Sequence, residues 1–196
     1  MGVSLQKGQT VSLAKPSGPA LAHVRMGLGW DAKQLEKRSF FGGVKYVQQE
    51  IDLDASAILC SGKRIVDVVY FGQLKSKDGS LKHTGDNRTG AGDGDDESIL
   101  VDLDKISSSV DSVYFVVNSY SGETFNQIDN ATVRVVDSDA RDVELARYDL
   151  TGTGGHTAMV MAKLSRSNAS WNFTAIGQPG QGTRLNDLVE LVERML

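Results

Sequence analysis

Glu50-Ile51-Asp52-Leu53-Asp54-Ala55-Ser56-Ala57-Ile58-Leu59 reads as a β-strand with a charge problem at its start. Successive side chains of a strand point to opposite faces. Acids at 50, 52 and 54 therefore share one face, with Ile51, Leu53 and Ala55 on the other. Ala57 continues the apolar set but Ile58 breaks the alternation, which marks either a bulge or a strand that becomes buried on both faces. Three like charges at i, i+2 and i+4 repel unless that face meets cations.

Working outward, short apolar or alternating runs recur at about the 8–12-residue spacing of an all-β sandwich or barrel. Strands are predicted over 10–13, 22–28, 50–60, 65–71, 98–101, 112–118, 131–137, 144–149, 157–164 and 171–176. Turn clusters such as Lys15-Pro16-Ser17-Gly18-Pro19, Ser61-Gly62-Lys63 and Lys77-Asp78-Gly79 separate them. One stretch, 183–196, is helical by period: Leu185, Leu188, Val189, Val192 and Met195/Leu196 form one stripe, expected to pack on the chain's own sheet. The expected fold is all-β, a single-domain β-sandwich of two packed sheets over residues 1–196, with a short C-terminal amphipathic helix. Within 33–49, Phe40-Phe41-Gly42-Gly43 reads equally as a hairpin tip that meets a partner or as a loop anchored on the core.

Composition narrows the function classes. The chain has 196 residues, 40% of them hydrophobic and 23% charged, with net charge -4. It lacks the basic stripe that nucleic-acid binding requires, and no run approaches the length of a membrane span. Its first residues carry no signal-peptide core. Cys60 is the single cysteine, so no internal disulfide can form, and a reducing, cytoplasmic setting is expected.

The second informative stretch is 86–97, Asp86-Asn87-Arg88-Thr89-Gly90-Ala91-Gly92-Asp93-Gly94-Asp95-Asp96-Glu97. It holds five carboxylates, three glycines and nothing apolar larger than Ala91, so it reads as an exposed loop. Two unit charges about 4 Å apart repel by roughly 1 kcal/mol in water and about 4 kcal/mol near a protein surface. Asp93, Asp95, Asp96 and Glu97 stay close at least cost around a cation, and Ca2+ takes about 6–8 oxygen ligands in a flexible shell. A solvated acidic loop is the bland alternative. The EF-hand pattern fails, because Ser98 stands where glycine is required and Asp104 where glutamate is. If the loop folds across the 50–60 strand, Asp52 and Asp54 become shared ligands, and Asp31 after Gly27-Leu28-Gly29-Trp30 is a further candidate.

Other chemistries find less support. His23, His83 and His156 lack zinc spacing with Cys60, and no G-x-S-x-G occurs. Gly27-Leu28-Gly29 and Gly152-Thr153-Gly154-Gly155 read as turns, since neither opens a predicted helix.

These residues carry a resemblance. Val3-Ser4-Leu5-Gln6-Lys7-Gly8-Gln9, Gly27-Leu28-Gly29-Trp30-Asp31, Ile51-Asp52-Leu53-Asp54-Ala55-Ser56 and the run from Leu74 through the acidic loop resemble the TerD family of tellurium-resistance and general stress proteins, most like its TerZ branch. Val117-Asn118-Ser119-Tyr120-Ser121-Gly122 and Ala146-Arg147-Tyr148-Asp149-Leu150 add to it. The resemblance implies a β-sandwich that binds calcium, typically two ions, on acidic loops at one end. Carried over by motif, the metal candidates are Asp31, Asp52, Asp54, Asp86, Asn87, Asp93, Asp95, Asp96 and Glu97.

The expected function is therefore a non-enzymatic stress-response protein in which Ca2+ orders acidic loops and modulates association with partners. The resemblance makes those partners other Ter-family proteins, including a membrane-embedded component, and self-association is also open. The competing classes are a divalent-metal-dependent hydrolase or phosphoryl-transfer enzyme, and a metal-independent structural module. The enzyme needs an open coordination position with a base beside it, and His83 is the one candidate base.

Overall fold

The computed structural model describes residues 2–14, 21–32, 34–38, 44–48, 51–89, 94–150, 154–168 and 170–196. Their strands are β1 (Val3–Ser4), β2 (Thr10–Ser12), β3 (His23–Ala32), β4 (Gln34–Arg38), β5 (Val44–Gln48), β6 (Leu53–Ser61) and β7 (Arg64–Val69). They continue with β8 (Leu81–His83), β9 (Glu97–Asp102), β10 (Ser112–Ser119), β11 (Ile128–Asp137), β12 (Val143–Asp149), β13 (Ala158–Ser167) and β14 (Ser170–Gly180). Helix α1 spans Leu185–Glu193.

Two six-stranded sheets form, ordered β1-β12-β11-β3-β9-β8 and β2-β14-β13-β10-β6-β7. Every ladder is antiparallel except the edge pair of β1 with β12. The sandwich and every predicted strand are present. Strands β1 and β8 and the β4–β5 hairpin are additional; the tip of that hairpin, 39–43, lies outside the described residues.

The inner faces meet in a core that includes Leu28, Trp30, Leu53, Ala55, Leu59, Val101, Phe115, Val133 and Phe173. The broken alternation of β6 has a plain cause. Leu53, Ala55, Ala57 and Leu59 enter that core, while Ile58 and Cys60 on the other face enter a second apolar layer with Tyr114, Val116, Leu188 and Val192. The second layer exists because α1 lies on the outside of the second sheet, and both faces of β6 are therefore dry at its Ile58–Cys60 end. A ladder irregularity between Leu59 and Cys60 accompanies it.

Nine residues of helix cover only part of this outer face. On β6 the outward side chains run Asp54, Ser56, Ile58, Cys60. The helix covers the apolar end, and the polar end stays open at the end of the sandwich where the acidic loop arrives.

Gly27 and Gly29 are strand residues of β3 rather than a turn. Both remove side chains where the acidic loop crosses: a Cβ on Gly27 would overlap the Asp95 carboxylate, and one on Gly29 would stand 2.6 Å from the Gly94 carbonyl oxygen. The Asp96 N–H then reaches the Leu28 carbonyl at 2.9 Å. The short Gly27-Leu28-Gly29 run is a bed for the acidic loop.

Candidate metal centre

Three carboxylates converge at this end. Asp52 immediately precedes β6, Asp54 lies within it, and Asp86 follows β8; each offers an oxygen within 4.8 Å of the others. Asp54 is buried, Asp52 half-buried and Asp86 exposed. Asp52 Oδ1 is buried with no hydrogen-bond partner among the described residues. An unpaired buried oxygen is costly, and a carboxylate more so.

The electrostatics agree. Burial first, then the charges of Glu97 and Asp52, push the Asp54 carboxyl up to about 7, although the Asn118 amide opposes the shift. Burial, reinforced by Asp86, also raises Asp52. A cation at this point would relieve the repulsion of all three groups, and oxygen-only donors suit a hard divalent ion. The residues fit Ca2+.

Around the trio, buried hydrogen bonds fix the chain. Glu97 accepts the Ala55 N–H at 2.7 Å and the Asn87 N–H at 3.1 Å. His83 Nε2 donates to the Ala55 carbonyl at 3.1 Å, and its Nδ1 accepts the Gly85 N–H at 3.0 Å. Asp96 accepts the Trp30 N–H at 2.9 Å and the Asn87 side-chain amide at 3.0 Å. Burial raises the Asp96 carboxyl, the Trp30 N–H counteracts it, and Asp31, Asp95 and Glu97 add to the rise.

The nine candidates thus separate into groups. Asp52, Asp54 and Asp86 come together, while Asn87, Asp96 and Glu97 brace the loop beside them. Asp95 stands apart, held by Arg25 and, at 2.6 Å, by Arg134. Two guanidiniums already compensate its charge. Asp31 is exposed and accepts from the Asn130 side chain at 2.6 Å. Asp93 lies outside the described residues.

Residues 1–191 match the TerD domain. The chain belongs to the TerD family. It is 44% identical to the tellurium resistance protein TerZ of Serratia marcescens, over 95% of this chain and 94% of that protein. It is 38% identical to the stress response protein SCP2 of Bacillus subtilis (strain 168), over 96% and 98% respectively. Among solved structures, a homologue of the telluride resistance protein TerD from Streptomyces coelicolor A3(2) superposes with a TM-score of 0.68 at 24% identity, covering 90% of this chain and 98% of that one, and shows the fold. The motifs that carry the TerD resemblance are those that build the trio, the glycine bed and the braces.

Sequence reasoning did not single out the groove beside the trio. Tyr70, Phe71, Tyr120 and Arg184 gather next to Asp54 in a cleft of about 410 Å³. The available signal was Tyr70-Phe71 at a predicted strand end followed by Gly72, and Tyr120 within a family motif.

Proposed function

We propose that this TerD-family protein is a non-enzymatic calcium-binding stress-response module. The observation that carries the reading is the partnerless, buried Asp52 Oδ1 in a trio whose oxygens lie within 4.8 Å. Asp52, Asp54 and Asp86 would hold the ion. When bound, Ca2+ supplies charge neutralisation and a link between β6 and the acidic loop. Asp54 and Asp52 are held by the sheet, and Asp86 by the loop's first turn. Binding therefore ties a loop to a strand, next to the braces made by Asn87, Asp96 and Glu97. The second ion that the resemblance implies is counted by the titration below.

An enzyme reading needs a free base at the ion. His83 is fully buried, and both ring nitrogens are engaged by Ala55 and Gly85. That favours the binding module. The tellurium-resistance and stress names of the relatives support a stress role. Ordered loops would then present a surface to other Ter-family proteins, including a membrane-embedded one, or to a second copy. Cys60 is buried and unpaired, in keeping with a reducing cytoplasm. Among the described residues no helix is long and apolar enough to cross a membrane.

Titration calorimetry of chelator-stripped protein with Ca2+, beside Mg2+, tests the reading. Saturable Ca2+ binding that raises the melting temperature, with a weak Mg2+ response, is expected. At a hundredfold excess over Kd, binding to the native state alone adds about 2.7 kcal/mol. Absence of saturable binding overturns the proposal.

A further inference from the structure

The end of the outer sheet face that α1 leaves bare forms a cleft of about 410 Å³, within the range of small-molecule sites. Its floor is polar. Ser56 is 2% exposed and lines the cleft. Asp54 lies next to it on the same face of β6 and is shared with the metal trio. Asn118 links the two ends, donating to Asp54 at 3.3 Å and to the Thr183 carbonyl at 3.2 Å.

One wall is aromatic and open to solvent. Phe71 packs edge-on against Tyr70 at 5.3 Å and against Tyr120 at 6.1 Å between ring centroids. Phe71 and Tyr120 nevertheless keep 41% and 42% of their surface exposed. The same wall carries a cation. The Arg184 guanidinium lies 5.4 Å over the Tyr120 ring, and no carboxylate pairs with it among the described residues. The Asp187 side chain takes the N–H groups of Thr183 and Arg184, which leaves those of Leu185 and Asn186 in the first turn of α1 beside the cleft.

Ring wall, unpaired guanidinium, free amides, a serine in the floor and a neighbouring cation site call for an anion on a planar body. A carboxylate has two oxygens for these groups, whereas a phosphate monoester has three terminal ones. A ligand ammonium is disfavoured by Arg184. Without a metal ion the Asp54 side of the cleft would repel an anion; with one, it would attract it.

We infer that the cleft between Phe71, Tyr120 and Arg184 binds a small phosphorylated compound with a planar ring, its phosphate between Arg184 and the ion held by Asp54. This rests on the calcium reading of the trio. Ion and ligand then bind cooperatively, and each raises the affinity of the other by the same factor.

Phenyl phosphate is the probe, with methyl phosphate and benzyl alcohol as the ringless and chargeless controls. Each is titrated by NMR chemical-shift perturbation into the protein with and without Ca2+, and calcium binding is measured in parallel by calorimetry. Saturable phenyl phosphate binding is expected only with Ca2+, about tenfold tighter than either control, as stacking and charge each contribute on that scale. Arg184→Gln and Tyr120→Ala, both at exposed positions, should each weaken it about tenfold. Calcium should bind more tightly when phenyl phosphate is saturating. If Ca2+ binds and phenyl phosphate does not, or if binding ignores Ca2+ or survives both substitutions, the inference falls while the calcium reading stands. If Ca2+ itself fails to bind, both fall together.

Discussion

The buried carboxylate of Glu97 accepts the Ala55 N–H at 2.7 Å, tying the first residue of β9 to a strand of the opposite sheet. The bond is needed because β7 pairs with β6 only from Ala57 onward. At Ala55 the neighbouring strand is missing, yet the residue is buried. Glu97 replaces the missing acceptor, and His83, at 3.1 Å from the Ala55 carbonyl, replaces the missing donor. Two side chains of the first sheet complete a ladder of the second, at the point where the acidic loop must be anchored.

Glu97→Gln tests that substitute ladder. Both Glu97 oxygens accept backbone N–H groups, from Ala55 and Asn87. The amide nitrogen of glutamine would face one donor with another. Leaving a buried donor unsatisfied costs about 1–3 kcal/mol, so the urea midpoint of calcium-free protein should fall accordingly. A midpoint within error of the parent would show that the loop does not depend on this brace.

Asp54→Asn should move two properties in opposite directions. Asp54 sits among like charges, and burial together with Glu97 and Asp52 pushes its carboxyl up to about 7. The neutral amide removes that repulsion and can still accept from Asn118. Calcium-free protein at pH 8 should therefore gain stability, on the order of 1–4 kcal/mol between the aqueous and near-surface limits for a charge pair. Loss of one ionised ligand should weaken Ca2+ by at least about tenfold. Denaturation and calorimetry on the same preparation read both. A variant that is less stable without metal and unchanged in calcium affinity would remove Asp54 from the trio.

Gly29→Ala places a methyl group 2.6 Å from the Gly94 carbonyl oxygen. Gly94 has φ +97°, a conformation that ordinary side chains avoid, so the loop has little freedom to retreat. Overpacking of this kind costs about 1–3 kcal/mol, and the loss should appear in the melting temperature. Because the loop is displaced, Ca2+ affinity should fall as well. A stable variant with parental affinity would mean that the glycine bed is dispensable.

Much of this was legible in the sequence, for identifiable reasons. The period-2 pattern of β6 and the 3.6-period stripe of α1 survive because each buries a defined face. The Ile58 irregularity even announced the second apolar layer. Strands β1 and β8, of two and three residues, are too short to show a period. Charge density pointed first to Asp93, Asp95 and Asp96, whereas the oxygens that converge are those of Asp52, Asp54 and Asp86, which the sequence offered only through the strand's acidic face and the family motif. The position of Asp95 was not legible: its compensating Arg25 and Arg134 lie 70 and 39 residues away, and no local pattern reveals such a pairing. Nor was the cleft, which depends on where a nine-residue helix stops on a sheet.

Asp78 sets an acid-sensitive contribution far from the trio. Burial pulls its carboxyl upward, but this is outweighed by the Ser80 hydroxyl and N–H, the Ser76 hydroxyl and the Ser107 N–H, which bring it down to about 2. These bonds are 2.6, 2.9, 2.7 and 3.1 Å long, and they join the turn before β8 to the loop before β10. Since the folded value lies below the unfolded one, about 3.9, the ionised group stabilises the protein above pH 4. That contribution is lost as pH falls from about 4 toward 2. Asp78 is exposed, so solvent screening limits the effect. Asp78→Asn should lower stability at pH 7 by about 1 kcal/mol, below the usual worth of a charged hydrogen bond because the group is exposed. The difference from the parent, read from urea midpoints, should narrow between pH 4 and pH 3 as the unfolded parent takes up a proton that the folded protein still excludes. A gap that stays constant over that range would assign the stabilisation to packing of the turn instead of its ionised acceptor.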